Sequence, residues 1–281
     1  MINMHKFDKD LIQRLYDSRV RRIKNLMASA EVKGSIFPRL ALVATEIMGY
    51  SFALNNKQNI SQEYVEIAKD TLVGNFALAV ANEEFIDVKL GQSSFRLESR
   101  VNNQRLDTFY WRTAFFLALI CRDNEALKVL LSVPDDLLLS QGEGDEFNIT
   151  YVHFIKALMG HGKNAGELLL KASKQMDIDY VTIADKDWVE LLEQQQSYLW
   201  ASLLSNENEE FGERLNEAIS KHQQFWSQKR GLNKGDAPLY NSHEGYFSIP
   251  LTAIACLAYD RGIRIDISSP YTPGFLIEGA S

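Results

Sequence analysis

The feature that most constrains this chain is a long apolar stretch at residues 106–131. Between Trp111 and Cys121 only Arg112 and Thr113 are polar, so a helix here is apolar on nearly every side. Such a helix has to be surrounded by other helices, because a surface helix keeps one polar face. The run is also too short, and too closely flanked by charge, to span a membrane. It therefore predicts the central helix of an all-helical domain.

The rest of the chain continues this helical pattern. Apolar residues recur at helical spacing between short polar breaks, which predicts about nine or ten helices in a single all-α domain over residues 1–281. Two segments depart from that spacing. Residues 85–98 alternate with period two around Gly91 and predict a small β-hairpin. Residues 263–267 also alternate and predict a short strand in an extended C-terminal segment.

Several helix ends can be placed from residues that favour them. Asp123 interrupts the apolar pattern and is expected to cap a second, shorter helix. Ser61 and Asp185 are expected to begin helices in the same way. Gly262 follows an apolar helical run and is expected to end it, because glycine readily adopts the left-handed conformation found there.

The cysteines and the N-terminus bear on the cellular compartment. Cys121 and Cys256 both lie in apolar helical runs, which favours buried, reduced thiols over a disulfide or a zinc site. The first ten residues carry charge and lack the apolar core of a signal peptide. The sequence therefore predicts a cytoplasmic protein. No cofactor and no metal are expected.

Acidic residues are concentrated in the middle of the chain. The net charge is −7, yet residues 129–217 hold 17 acidic and 6 basic residues, so this part carries −11 and the remainder +4. One interpretation is solvated loops and helix N-termini, which favour acids. The other is a docking face for a basic partner, whereas direct binding of nucleic acid is disfavoured. The expected partner contacts are Asp135, Asp136, Glu143, Asp145, Glu146, Glu207, Glu209, Glu210 and Glu213.

Local motifs for catalysis are lacking in the sequence. No two of the five histidines share a helical face at a spacing of four, and no HExxH, P-loop or GxSxG pattern occurs. An enzyme stays possible at this point, since the two carboxylates of a glycosidase need no local motif. A helical scaffold that binds another protein in a concave groove also stays open.

Two apolar helical segments with charged ends carry a resemblance to a known family. The first covers residues 111–123, and the second runs from Pro250 into a Tyr-Asp-Arg-Gly end and a Tyr-x-Pro tail. Together they resemble the immunity protein 49 family of bacterial polymorphic-toxin systems. The signature residues are Trp111, Arg112, Arg122, Asp123, Asp260, Arg261, Gly262, Tyr271 and Pro273.

The resemblance implies a non-enzymatic antidote with an all-helical fold. Proteins of this kind bind a cognate toxin domain in the cytoplasm of the bacterium that they protect. The family supplies no catalytic residues, so the signature residues are expected to be structural and not toxin contacts. Toxins that attack nucleic acids are often basic, and an acidic partner can associate with them quickly. The acidic residues of the middle segment are therefore the expected contacts.

Overall fold

The computed structural model describes residues 2–30, 34–55, 57–99, 104–140, 144–161, 164–205, 208–267 and 269–279. Its contacts divide the chain into two units. The N-terminal unit is Phe7–Gln141, and the C-terminal unit combines Met1–Lys6 with Gly142–Ser281. Both are built from helices, with one small hairpin in the N-terminal unit, so the predicted all-α fold class is confirmed.

The N-terminal unit contains six α-helices and two strands within its described residues. A short 3₁₀ turn, Gly34–Ile36, precedes the second helix. The elements are α1 (Lys9–Ala30), α2 (Phe37–Ala53), α3 (Gln58–Val80), β1 (Phe85–Leu90), β2 (Ser93–Glu98), α4 (Thr108–Ile120), α5 (Asn124–Leu131) and α6 (Asp135–Leu139).

The apolar stretch forms α4 and α5, and α4 lies in the core of its unit. It packs against α3, α5 and α6, and from Trp111 to Ile120 only Thr113 is not buried. The Asp107 carboxylate begins the helix by accepting the backbone N–H groups of Phe109 and Tyr110. Trp111 Nε1 donates to the carbonyl of Leu130 at 2.8 Å. The prediction of a helix enclosed by other helices is confirmed.

The predicted hairpin is present, with Phe85 paired to Glu98 and Leu90 to Ser93 in antiparallel register. Gly91 forms the turn with φ +60°, and its N–H donates to the Asp70 carboxylate at 2.8 Å. Asp70 also lies 2.8 Å from the buried ammonium of Lys69. A buried ion pair on α3 therefore fixes the turn of the hairpin.

The C-terminal unit contains the remaining helices. Within its described residues, a kink at Gly160 (φ +89°) and one π turn interrupt the helices, and two short 3₁₀ turns precede α12. The elements are α7 (Glu146–Lys156), the kinked segment Ala157–His161, α8 (Ala165–Gln175), α9 (Lys186–Trp188), a π turn (Val189–Glu193), α10 (Gln194–Ser205), α11 (Asn208–Trp226), 3₁₀ turns (Leu239–Asn241 and His243–Gly245), α12 (Ile249–Asp260) and α13 (Gly274–Ile277).

An aromatic core holds this second unit together. Trp200 on α10 is fully buried, and its Nε1 donates to the Tyr151 hydroxyl of α7 at 2.6 Å. Phe154 packs edge-on against the same indole. Because a buried indole N–H needs a partner, this bond fixes how α7 and α10 meet. Helix α10 also packs against α8, α11 and α12.

Three of the four expected helix ends are confirmed. The Asp123 carboxylate accepts from the backbone N–H of Ala126, and the Asp185 carboxylate accepts from that of Trp188. Gly262 follows α12 with φ +85°, a conformation that L side chains rarely adopt. The Ser61 expectation is wrong, because α3 begins one turn earlier at Gln58. Ser61 is instead buried inside the helix, where its hydroxyl meets that of Ser51 at 3.2 Å.

The short C-terminal strand is not formed. Residues 263–267 have no regular secondary structure, although their side chains alternate in polarity. Among the described residues of this tail, strand-type pairing is limited to one isolated bridge between Ser269 and Thr272. An alternating sequence becomes a strand only when a neighbouring strand satisfies its backbone, and the structure describes none beside it.

Candidate partner-binding surface

The predicted acidic contacts are divided between the two units. Asp135 and Asp136 form the first turn of α6 in the N-terminal unit, where the positive end of the helix dipole favours acids. Asp136 is exposed and Asp135 is half-buried. Glu143 and Glu207 lie outside the described residues, as does the side chain of Glu209. The others lie in the C-terminal unit and are Asp145, Glu146, Glu210 and Glu213.

Asp145 is not the solvent-facing contact that the sequence suggested. Only 8% of the residue is exposed. Its carboxylate accepts the backbone N–H groups of Thr182, Ile183 and Ala184 at 2.8, 3.1 and 2.7 Å, and the Thr182 hydroxyl at 3.0 Å. Burial favours the neutral acid, yet these hydrogen bonds hold the pKa of Asp145 below its ordinary value. The negative charge is thus used to hold the chain 37 to 39 residues further on.

The segment that Asp145 holds carries exposed apolar side chains. We call residues 176–185, which join α8 to α9, the apolar loop. Ile178, Tyr180 and Ile183 on this loop are 40%, 71% and 59% exposed. Large apolar side chains grouped at a surface are typical of interaction sites. The apolar loop is therefore the first part of a candidate binding surface, which the sequence analysis did not identify.

Both ends of the apolar loop are tied to neighbouring helices. At its start, the Met176 carbonyl accepts a hydrogen bond from Gln194 Nε2 at 2.9 Å. At its end, Asp185 caps α9 and pairs with Arg230 at 2.8 Å. The Arg230 guanidinium also contacts Asp187 at 2.9 Å. The loop is thereby fixed at its start, at its end and through Asp145.

A groove of about 470 Å³ lies between α8, the apolar loop and the helix that runs from residue 186 to 205. Ile178 and the half-exposed ring of Tyr198 provide its apolar walls. Its charged lining consists of the Asp177 and Glu190 carboxylates and the Lys174 ammonium. Glu190 belongs to the π turn Val189–Glu193, and such turns are frequent at functional sites.

Two of the predicted acidic residues contact neighbours of the residues that line this groove. Glu146 accepts a hydrogen bond at 2.8 Å from Gln175, the last residue of α8. Glu210 binds the guanidinium of Arg214 at 2.8 Å, and Arg214 lies 5.8 Å from the centre of the Tyr198 ring. The carboxylates of Glu146 and Glu210 are thus not part of the groove lining itself.

The buried histidine of α11 makes packing and hydrogen-bonding contacts. His222 is buried, and its Nε2 lies 3.1 Å from the Gly245 carbonyl. Burial lowers the pKa of His222 to about 3, so the ring is neutral at physiological pH and Nε2 carries the donating proton. Its ring packs edge-on against that of Tyr271, at 5.0 Å between centroids. Among the described residues, no group of three or more His, Cys, Asp or Glu side chains could hold a metal ion.

The two cysteines are free thiols in the structure. Cys256 is buried and its thiol donates to the Leu276 carbonyl at 3.3 Å. Cys121 is half-buried at the end of α4, and burial raises its pKa to about 12.

Across the described part of the chain, no helix has both the length and the apolar character needed to cross a bilayer.

The signature residues occupy three kinds of position. Trp111 and Tyr271 are fully buried, and the Tyr271 hydroxyl accepts the backbone N–H of His5 at 2.8 Å. Arg112 is also buried, whereas Arg122 has φ +52° in the turn between α4 and α5. Asp260 and Arg261 lie at the exposed end of α12, and Pro273 directly precedes α13.

Comparison with known proteins identifies the family. The family described as immunity protein 49 matches residues 54–276. No curated protein and no solved structure matches the chain. The family match spans both units and includes the two segments that carried the resemblance. The chain therefore belongs to the immunity protein 49 family.

Proposed function

We propose that this protein is an immunity protein that binds a cognate toxin domain and neutralises it by protein–protein contact, without catalysis. Membership of the immunity protein 49 family carries this proposal. The C-terminal unit adds a surface suited to a protein partner, since Tyr180 and Ile183 are exposed on a loop held by Asp145. Aromatic side chains of this kind are enriched in the energetically dominant parts of protein interfaces.

The distribution of charge supports a basic toxin. Residues 129–217 carry −11, and of the predicted contacts Asp136, Glu146 and Glu213 are exposed while Glu210 is half-exposed. Acidic side chains of this kind attract a positively charged protein and speed the encounter of the two proteins. Domains that act on nucleic acids fit this description. We further propose that Asp135, Glu143, Glu207 and Glu209 contribute to the same attraction.

The proposed setting is a polymorphic toxin system used in competition between bacteria. The immunity protein would act in the cytoplasm of the producing cell, where a toxin delivered by siblings would otherwise reach its target. The toxin domain would be encoded beside the immunity gene. Binding has to be tight, because a small free fraction of an enzyme toxin is enough to damage the cell.

Co-expression tests this function. The full chain is produced together with the C-terminal toxin domain that the neighbouring gene encodes, and growth and co-purification are measured. We expect growth to be restored and the two proteins to purify as one complex. An empty vector and the same domain with its activity removed by mutation serve as controls. Toxicity that persists although the immunity protein is abundant and folded would contradict the proposal.

A further inference from the structure

We infer that the toxin binds at the groove and the apolar loop of the C-terminal unit, through a toxin segment that combines an apolar side chain with neighbouring lysine or arginine residues. This inference rests on the proposed function and names both the surface and the chemistry of its occupant. The groove receives the apolar side chain, and the carboxylates around it receive the basic ones.

Exposed apolar side chains lie on the elements that form the groove. Within the described residues, several of the large apolar side chains that are exposed lie on α8, the apolar loop or α10. Burying them against a partner removes apolar area from water, which is the main favourable contribution in most protein associations. The side chains are Leu170, Ile178, Tyr180, Ile183 and Tyr198.

The surface is held in place before any partner arrives. Asp145 binds three consecutive backbone N–H groups of the apolar loop, and Gln194 and Arg230 hold its two ends. A loop fixed in this way loses little conformational freedom on binding, so more of the interaction energy appears as affinity. Tyr180 and Ile183 are accordingly the expected anchor residues.

The charges around the groove select a basic occupant. The carboxylates of Asp177 and Glu190 outnumber the ammonium of Lys174 among the groove's lining side chains. Asp185 and Asp187 are paired with Arg230, and Glu210 is paired with Arg214, so these carboxylates contribute less to this field. A neutral or acidic apolar segment would leave the groove carboxylates desolvated without compensation.

A serine double variant tests the surface. The full chain carrying Tyr180→Ser and Ile183→Ser is titrated calorimetrically with the toxin domain of the neighbouring gene, inactivated by mutation. We expect the Kd to rise about 30-fold or more, as for the loss of an interface hot spot. The matched control is Tyr259→Ser with Leu232→Ser, which removes two side chains outside the candidate surface that are each 41% exposed. This control variant should bind the toxin domain as tightly as the unaltered chain does.

The outcomes separate this inference from the proposed function. If the unaltered chain binds the toxin domain and the Tyr180→Ser, Ile183→Ser variant binds equally well, the surface assignment is overturned while the function stands. If the unaltered chain does not bind the domain at all, the proposed function fails and this assignment fails with it. Circular dichroism and a thermal melt of each variant establish that a weakened variant is still folded.

Charge reversal tests the nature of the occupant. Asp177→Lys with Glu190→Lys should slow association about tenfold at low salt and reduce its dependence on salt, because opposite charges steer the encounter. The control reverses Asp87, which lies on the exposed face of the hairpin. An association rate that is unchanged by the groove reversal would overturn the basic character of the toxin segment.

Discussion

Asp145 accepts both the backbone N–H and the hydroxyl of Thr182, at 2.8 and 3.0 Å. The sequence presents Asp145 as one of several acids in a polar segment, yet the structure uses it to hold a distant loop. That loop carries Tyr180 and Ile183, which are among the exposed large apolar residues of the C-terminal unit. The buried Asp145 carboxylate therefore holds the loop that presents Tyr180 and Ile183 to solvent.

Replacing Asp145 with asparagine should loosen the apolar loop. The amide has one acceptor oxygen where the carboxylate has two, and its N–H₂ group would face the N–H groups of Ile183 and Ala184. We expect a loss of about 1–3 kcal/mol in the free energy of unfolding. Faster hydrogen exchange at residues 182–184 and weaker toxin binding should accompany it. Asp266→Asn, which alters an exposed carboxylate of the same unit outside the candidate surface, is the matched control, and equal exchange rates in the two variants would contradict this role of Asp145.

Replacing Lys69 with methionine should destabilise the N-terminal unit. The Lys69 ammonium is 3% exposed and lies 2.8 Å from Asp70 and 2.5 Å from Asp123. Removing it leaves the buried Asp70 carboxylate without its counter-charge, for which we expect a loss of about 3–5 kcal/mol. Urea denaturation measures the change. The exposed pair Lys128 and Glu125 offers a control, since Lys128→Met should alter stability by less than about 0.5 kcal/mol.

Replacing Gly74 with alanine should overpack the same unit. A Cβ at this position would lie 2.6 Å from Phe37 Cε1 and 2.6 Å from Val88 Cγ1. Since Phe37 is fully buried, neither neighbour has free space to move into, and we expect a loss of about 1–3 kcal/mol. Thermal unfolding of Gly166→Ala provides the comparison, because a Cβ there meets nothing within 4 Å. That variant should be unchanged or more stable by up to about 1 kcal/mol.

Much of the fold could be predicted from sequence because the signals are local. The apolar run gives α4, the alternation around Gly91 gives the hairpin, and Asp123 begins α5 by bonding a residue three positions away. The strand expected at residues 263–267 failed because alternation describes a side-chain pattern and not the presence of a neighbouring strand. The prediction that Ser61 caps α3 was wrong, because a serine caps a helix only at the residue before the helix begins, and α3 begins at Gln58.

The candidate surface was only partly predictable. Its acidic character is visible in the charge distribution of residues 129–217. The burial of Asp145 could not be predicted from the sequence. Its hydrogen-bond partners lie 37 to 39 residues away, and hydrogen bonding at that separation has no local signature. One usable signal was overlooked. Ile178, Tyr180 and Ile183 follow a helix without continuing its spacing, which places large apolar side chains on a loop.

His222 contributes stability to the C-terminal unit that should be lost as the pH is lowered. Burial lowers its folded-state pKa to about 3, while the unfolded chain keeps a value near the ordinary 6.5. Between these values His222 binds more protons in the unfolded state, so its contribution is full above about pH 6.5 and declines by up to about 1.4 kcal/mol per pH unit below it. His5 adds to this decline, since burial lowers its pKa as well. Glu244 opposes it, because burial raises the pKa of its carboxyl to about 7 and protonation then favours the folded state.

A variant without the titrating ring tests this assignment. His222→Gln can still donate to the Gly245 carbonyl, so it should fold, with lower stability at pH 7 because the packing against Tyr271 is lost. Between pH 6.5 and 4, the slope of its stability against pH should be less positive than that of the unaltered chain. Urea denaturation at several pH values gives the two slopes. If the slopes coincide, the acid sensitivity arises elsewhere, because the loss of a buried neutral histidine must remove its share of the proton uptake on unfolding.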